Sequence, residues 1–421
     1  MNKNYVNSLF YPHGKLWKNR IFAELSTYPQ ALPLLLLKST TTLHISKGEI
    51  MKIIFEKKNL SQALNTVQKA AQNKISSNTN NGIYINAANG KIEFQANDYS
   101  IAIKAVCEGE VLEEGTVVIL SNFLPEMIRC LPDEKITMEQ KKDENMVVIT
   151  CGNTISNKLN TKKAEDFPVI SEIDHKNYFL IESDKLRTMT NMVQFAAETD
   201  KQKKPFFTGI LFEVNDTSFA MAATNTHRLA AKTTILSTPS SEAGRMIVPS
   251  GIMSDIIKLL PVEENVNVEI SWARSHIAFS FKDIYFVSTL INGEYPDYHR
   301  VIPNHFDSMV TVDCHAFTDA VNRATLLSRN INYNIIKFEF KKDEVKISAE
   351  DKDEGSIEER VPSVLSGDPL DIVFNCFYVA DILKHSSGNN IILHLLKNGP
   401  MLVEQENDKD YQYVVTPMRG R

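Results

Sequence analysis

The chain has 421 residues, 43% of them apolar and 23% charged, with 46 Lys+Arg against 52 Asp+Glu and a net charge of −6. This is ordinary globular composition for about three domains, and it excludes a protein that coats nucleic acid through overall basicity, so any such contact is local. Cys107, Cys130, Cys151, Cys314 and Cys376 form no CxxC pair, which argues against a zinc site and a secreted disulfide framework and fits a reducing cytoplasm. The longest apolar run, residues 31–37, contains Pro33 and falls far short of the ~18 residues of a membrane span, so no membrane partner is expected.

Residues 1–50 differ from the rest. They hold six Lys/Arg and two Asp/Glu, leaving 40 against 50 and a net of −10 on the remainder. A basic start before the Leu34–Leu37 run superficially resembles a signal peptide, but no small-residue cleavage site follows. Lys47-Gly48-Glu49, just before Met51, can be encoded by a purine-rich stretch resembling a bacterial ribosome-binding site. The leader therefore reads either as translated upstream sequence with Met51 as the native start, or as a partly disordered extension.

From Met51 onward the chain is built three times over. A strand followed by an amphipathic helix occurs at Ile53, Ile54 and Phe55 with Leu60, Leu64 and Val67, again at Leu180 and Ile181 with Leu186, Thr190 and Val193, and again at Val310 and Val312 with Phe317, Val321 and Ala324. The first helical anchor stands five residues after Phe55, Ile181 or Val312. Next, IYINAANGKIEFQAND (83–98), ILFEVNDTSFAMAATN (210–225) and IKFEFKKDEVKISAED (336–351) align without a gap. Each reads as a hairpin turning at Asn89-Gly90, Asn215-Asp216 or Lys342-Asp343.

A second strand and helix follow in each unit, at 117–120 with 123–131, 246–248 with 252–260, and 372–374 with 378–383; Pro132 and Pro261 end the first two helices. Antiparallel strands then close the units over 135–168, 266–296 and 391–415. The expected fold class is α+β, with two helices on one face of antiparallel sheets in each unit. Boundaries at polar junctions give a 1–50 leader and domains at 51–172, 173–304 and 305–421.

Together with ATNTHRLA (223–230), GEYPDYHRVIP (293–303) and a terminal YVVTPMR (413–419), the triplication resembles the bacterial beta sliding clamp family, the processivity subunit of the replicative DNA polymerase. The resemblance runs over residues 51–419. It implies a head-to-tail homodimer whose six domains close a ring around double-stranded DNA, gripped without regard to sequence, with helices lining the hole. Lys69, Lys74, Arg129, Lys185, Arg187, Lys258, Arg323, Arg329 and Lys384 lie on helix-bearing segments, and phosphate contacts without base readout leave a ring free to slide. The sharper DNA candidates are Lys74, where the family usually has arginine, and the loop carrying Lys201, Lys203, Lys204, Phe206 and Phe207, which reads alternatively as a solubility feature.

The resemblance also implies a peptide pocket between the second and third domains that takes linear motifs from polymerase subunits, the clamp loader and repair proteins. Carried over by position, it comprises Phe207, Thr224, His227, Arg228, Leu229, Pro296, Arg300, Val301, Asn375, Tyr378, Pro400, Val414, Val415, Pro417, Met418 and Arg419. Thr226 replaces a frequent glycine and Thr416 a frequent methionine, and Gly420-Arg421 extends a chain that often stops earlier. The dimer contact is expected to join the edge strand near Leu159 to the partner's third domain around Leu326 and Leu327, and all three read equally as core leucines.

No GxxxxGK[ST], HExxH or GxSxG occurs. Asp351-Lys352-Asp353-Glu354 reads as a solvated turn rather than a metal site. The expectation is a cytoplasmic non-enzyme with no cofactor and no metal; the alternative is a monomeric clamp-fold peptide-binding scaffold without ring closure. Protein made from its own gene is expected to begin at Met51, and an intact mass that includes residues 1–50 would refute this.

Overall fold

Apolar residues at helical spacing bury one side of each long helix, and alternating ones bury one face of each hairpin. The computed structural model describes residues 51–71, 82–98, 100–120, 123–141, 145–162, 164–200, 202, 204–328 and 334–418. The leader, Lys74, Lys201, Lys203, Arg329 and Arg419 lie outside them. Six helices are described: α1 (Lys57–Ala71), α2 (Leu124–Cys130), α3 (Ser183–Val193), α4 (Ser250–Leu259), α5 (Cys314–Ser328) and α6 (Cys376–Lys384). In α1 the buried set Leu60, Ala63, Leu64, Val67, Ala70 and Ala71 follows the i, i+3, i+4, i+7 stripe, and each large member contributes about 1.5–3 kcal/mol on burial.

The three hairpins form as expected, with different turns. Asn89 (φ 53°) and Gly90 (φ 72°) are both left-handed, as a two-residue type I′ turn requires. The second hairpin pairs Asn215 with Ser218, so its turn is Asp216-Thr217, one residue beyond the expected place, with Asp216 at φ 51°. Pro132 and Pro261 each follow directly on a helix C-cap, Leu131 and Leu260.

The repeated units are joined by hydrogen-bonded strands. The strand Ile284–Thr289 closes the second unit and lies antiparallel to Ile101–Cys107 of the first, with Val287 opposite Ala102. Likewise Asp408–Val415, which closes the third, lies against Arg228–Ile235 of the second, with Val414 opposite Leu229. Two sheets of 13 and 12 strands result. They match the expected α+β class of three repeated units.

The helices follow the same order. Lys69 of α1 reaches Asp255 of α4 at 3.2 Å, and Phe195, just after α3, stacks on His385, just after α6, with ring centroids 4.5 Å apart. No described helix is long and apolar enough to cross a membrane.

The second seam is held from inside as well. Tyr411 and Tyr413 are fully buried; Tyr411 donates across the seam to the Met192 carbonyl of α3 at 2.9 Å, while Tyr413 ties the strand to its own unit by donating to the Tyr378 carbonyl of α6 at 2.8 Å. Burial raises the Tyr411 phenol well above its ordinary range, so it remains a donor. Tyr411→Phe should destabilise the protein by about 1–2 kcal/mol by stranding the Met192 carbonyl, measured as a lowered urea midpoint; an unchanged midpoint would remove this tether from the seam.

Candidate functional site

A pocket of about 460 Å³ opens beside the second seam. Its floor is Leu229 and Val414 on adjacent strands, backed by Leu402 in the same buried cluster, and its back is Phe207 packed edge-on against Tyr295, centroids 5.5 Å apart. Burial pushes the phenols of Tyr295 and Tyr298 up. Arg245 pins this wall, its guanidinium donating to the Tyr295 carbonyl at 3.0 Å and pairing with Glu213 at 2.9 Å.

The rim is the loop between strands Ser218–Thr224 and Arg228–Ile235, fixed by its own side chains. Asn225 Oδ1 accepts from the His227 and Arg228 amides, both at 3.1 Å, while Thr224 Oγ1 donates to the Arg228 carbonyl at 2.6 Å and accepts from the Thr226 amide at 3.1 Å. Such local bonds make a turn from Asx and Thr side chains. From the chain's end, Thr416 donates twice to the His227 carbonyl, from its amide at 2.9 Å and its hydroxyl at 3.0 Å.

Of the expected pocket residues, Phe207, Thr224, His227, Arg228, Leu229, Pro296, Val301, Pro400 and Val414 line this cavity. Thr226, Tyr295, Asp297, Tyr298 and Thr416 line it too; three of these five sit inside the GEYPDYHRVIP motif, which was the available signal. Six others stand outside the lining. Arg300 is exposed and pairs with Asp297 at 3.1 Å, Asn375 caps α6, and Val415 is fully buried. Tyr378 packs behind the rim against His227 and Arg228, while Pro417 and Met418 are half-buried, the Met418 amide bonding the Val373 carbonyl at 2.7 Å.

Arg228 differs most from its expected role as a peptide-holding rim cation. Its side chain is 10% exposed and pairs with Asp381 at 2.6 Å. The guanidinium also donates to the Phe195 carbonyl and lies over Phe195 and Tyr378, 5.5 and 4.8 Å from their centroids. These partners belong to the second and third units, so the guanidinium serves the seam while the residue's remainder forms pocket wall. Removing one member of such a buried pair leaves an uncompensated charge.

The DNA candidates divide differently from expectation. Lys204 is exposed, with its ammonium 5.4 Å from the Phe207 centroid. Phe207 is 5% exposed and Phe206 packs against the same pocket cluster, so both aromatics anchor the loop inward and are not free platforms for sugar or base. Most helix cations are also paired: Lys185 with Glu182 at 3.3 Å, Arg187 with Asp184 at 2.8 Å, Arg323 with Glu359 at 2.6 Å, Lys384 with Asp381 at 3.1 Å, and Arg129 with Glu126. Among the described residues of that set, only Lys258 has no ion pair. Exposed pairs such as those of Arg129 and Lys384 are worth about 0–1 kcal/mol, whereas Arg187 is largely buried and also donates to the Leu260 and Pro261 carbonyls at 3.3 and 2.7 Å.

Leu159 is half-buried against its own core. Leu327 is 9% exposed and sits in the core of its unit, whereas Leu326 is 60% exposed. The Asp351 carboxylate accepts from the amides of Asp353 and Glu354 at 2.8 and 2.9 Å, which lowers its pKa and makes the acidic cluster a self-bonded turn. Among the described residues no group of His, Cys, Asp and Glu is placed to hold a metal.

Sequence profiles for the DNA polymerase III beta subunit match in order: its N-terminal domain over residues 51–171, its central domain over 180–297 and its C-terminal domain over 299–419. The chain belongs to the bacterial beta sliding clamp family. It is 26% identical to the beta sliding clamp of Bacillus subtilis, over 88% of this chain and all of that one, and 28% identical to that of Streptococcus pneumoniae, over 85% and 96%. Among solved structures it resembles the Bacillus subtilis clamp (TM-score 0.84, 24% identity) and a Pseudomonas aeruginosa clamp bound to griselimycin (TM-score 0.82, 26% identity), each match covering 88% of this chain and all of that one. The family's function, a DNA sliding clamp that confers processivity and is not an enzyme, is this chain's function.

Thr226 lines the pocket rim at φ 76°, a conformation that disfavours a β-branched residue. Thr226→Gly should therefore raise stability by about 0.5–1 kcal/mol in urea unfolding; a loss would mean that the threonine side chain supports the rim.

Proposed function

We propose that two copies of this chain close head to tail into a six-domain ring around duplex DNA, and that the pocket beside the second seam docks linear motifs of polymerase subunits, the clamp loader and repair proteins. One observation carries the ring. At both seams the last strand of one unit adds to the same edge of the unit before it, and one such pair of edges is left over in the chain. Among the described residues, the first unit's closing strand, Ile155–Lys162, pairs along residues 155–160 only with Met146–Cys151. Among the described residues, Gly355–Gly367 likewise pairs along residues 355–362 only with the strand Glu344–Asp351. Edge strands of this kind are templates for joining sheets.

The helices support the same closure. Leu326 stands nine residues after Phe317, as Lys69 stands after Leu60 and Phe195 after Leu186. Lys69 and Phe195 bridge to the next unit's helix, and exposed Leu326 is free to bridge to α2 of the second copy. Helices then line the hole, where Lys74, Lys201, Lys203, Lys204 and Lys258 meet phosphates. The compartment is the cytoplasm. A monomeric scaffold would leave both edges and Leu326 exposed without purpose.

The seam register is transferable. Ile103 faces Phe286 at the first seam and Ala230 faces Tyr413 at the second; the equivalent residues of the open edges are Ile357 and Asn157. Asn157→Cys with Ile357→Cys should form a covalent dimer on mild oxidation while each single variant does not; a double variant that stays monomeric contradicts this register. Changing Lys74, Lys201, Lys203 and Lys204 to alanine should flatten the salt dependence of DNA binding by up to about 0.9 in log–log slope for each phosphate no longer neutralised. An unaltered slope takes them off the DNA face.

A further inference from the structure

One wall of the docking pocket is the run Tyr295, Pro296, Asp297 and Tyr298, and it leads into a turn that is weak by itself. Tyr298–Val301 is a 3₁₀ helix of four residues with long backbone bonds. The Arg300 amide reaches the Asp297 carbonyl at 3.4 Å and the Ile302 amide the His299 carbonyl at 3.4 Å, while the Asp297 cap accepts from the His299 amide at 3.3 Å. An ordinary N–H···O bond spans about 2.7–3.2 Å, and 3₁₀ geometry is poorer than α-helical. Yet Tyr295 and Tyr298 are 2% and 4% exposed, so partners outside the turn set their position.

Polar partners come from the second unit's own sheet. Glu213 stands directly opposite Arg245 on one neighbouring strand and Ala220 on the other, and its carboxylate meets three groups. Oε1 pairs with Arg245 Nε at 2.9 Å, Oε2 lies 3.8 Å from His299 Nε2, and the carboxylate accepts a hydrogen bond from the Tyr298 hydroxyl. Arg245 in turn donates to the Tyr295 and Pro296 carbonyls at 3.0 and 3.4 Å. Together the pair grips both ends of residues 295–299.

Glu213 and Arg245 stand outside the pocket's lining. They line a second cavity of about 650 Å³, and Tyr298 lines both. The Tyr298 ring is therefore the partition between the two, with its hydroxyl tied to a carboxylate beyond the pocket. Ala220 and Gly244, which also line the second cavity, are small and leave it open. The ring has room to move that way once the hydroxyl is released.

We propose that Glu213 is a positioning residue of the docking pocket: its carboxylate, braced by Arg245, holds Tyr298 in place against the second cavity and so keeps the pocket wall in the shape that a bound segment meets. This rests on the pocket reading above and adds a residue that acts without touching the ligand. A wall held in advance lowers the ordering cost of binding, so cutting the clamp weakens every ligand of the pocket.

The test is calorimetric titration of the full chain with griselimycin, the compound bound to the Pseudomonas aeruginosa clamp. Calorimetry separates the number of sites from the affinity: a partly unfolded variant loses sites, whereas a displaced wall loses affinity. Glu213→Ala and Tyr298→Phe should each weaken binding about ten-fold at an unchanged number of sites, the size of one hydrogen bond to a charged group. The double variant should bind no more weakly than the worse single one, because both cut the same bond. Glu213→Ala within about two-fold of the unaltered chain, losses that multiply in the double variant, or sites lost at unchanged affinity would each overturn the proposal. Val301→Glu tests the pocket reading separately, since Val301 lines the pocket's edge and is 55% exposed. If Val301→Glu weakens binding and Glu213→Ala does not, the proposal alone fails; if Val301→Glu and the unaltered chain bind alike, or neither binds, both fail.

Discussion

A sheet edge carries unpaired backbone amides and carbonyls, and the way this chain pairs its edges governs most of what else the structure does. The closing strand of the second unit adds to the first, and the closing strand of the third adds to the second. Main-chain hydrogen bonds cross both junctions, so the units are joined by the strongest directional interaction a sheet offers and not by side-chain packing alone. The helix row, the pocket and the open ends all follow. Helices on one face are brought side by side, the loop before each receiving strand is brought against the next unit, and among the described residues the equivalent edges of the first and third units are left unpaired.

The second seam shows how one junction serves two purposes. Inward, Arg228 lies between Phe195 and Tyr378 and pairs with Asp381, while Tyr411 and Tyr413 tie the added strand to the helices beneath it. Outward, the same strands present Leu229 and Val414 to the pocket. A docking site built on a backbone-paired seam is rigid before a ligand arrives, which lowers the ordering cost of binding.

Much of this was legible in the sequence because it is local or repeated. The hairpins, the helices and the three-unit plan rest on short-range periodicity, and three copies made each element readable against the others. Pairings between distant segments were not legible. Arg228 faces Val415 across 187 residues, and no local pattern at either position names its partner. Arginines in a pocket motif read as ligand contacts, and only the fold shows the Arg228 guanidinium committed to Asp381 and the Phe195 carbonyl. Phe206 and Phe207 likewise read as partners of the neighbouring lysines, because cations beside aromatics are a nucleic-acid signal, yet both rings turn inward to the pocket cluster. The charge of the helices was readable, and so were the carboxylates three residues before Arg129, Lys185, Arg187 and Lys384, but those that pair with Lys69 and Arg323 come from other elements and had no local signal.

If pairing of sheet edges is the rule that builds the assembly, the leftover edges at residues 155–160 and 355–362 must meet in solution. Sedimentation equilibrium of residues 51–421 at low micromolar concentration measures this directly. The account predicts a mass of two chains, the number that gives six units and leaves neither seam edge unpaired. A stable monomer would contradict it, because the edges would then be free, and a trimer would mean that the ring closes by a different geometry.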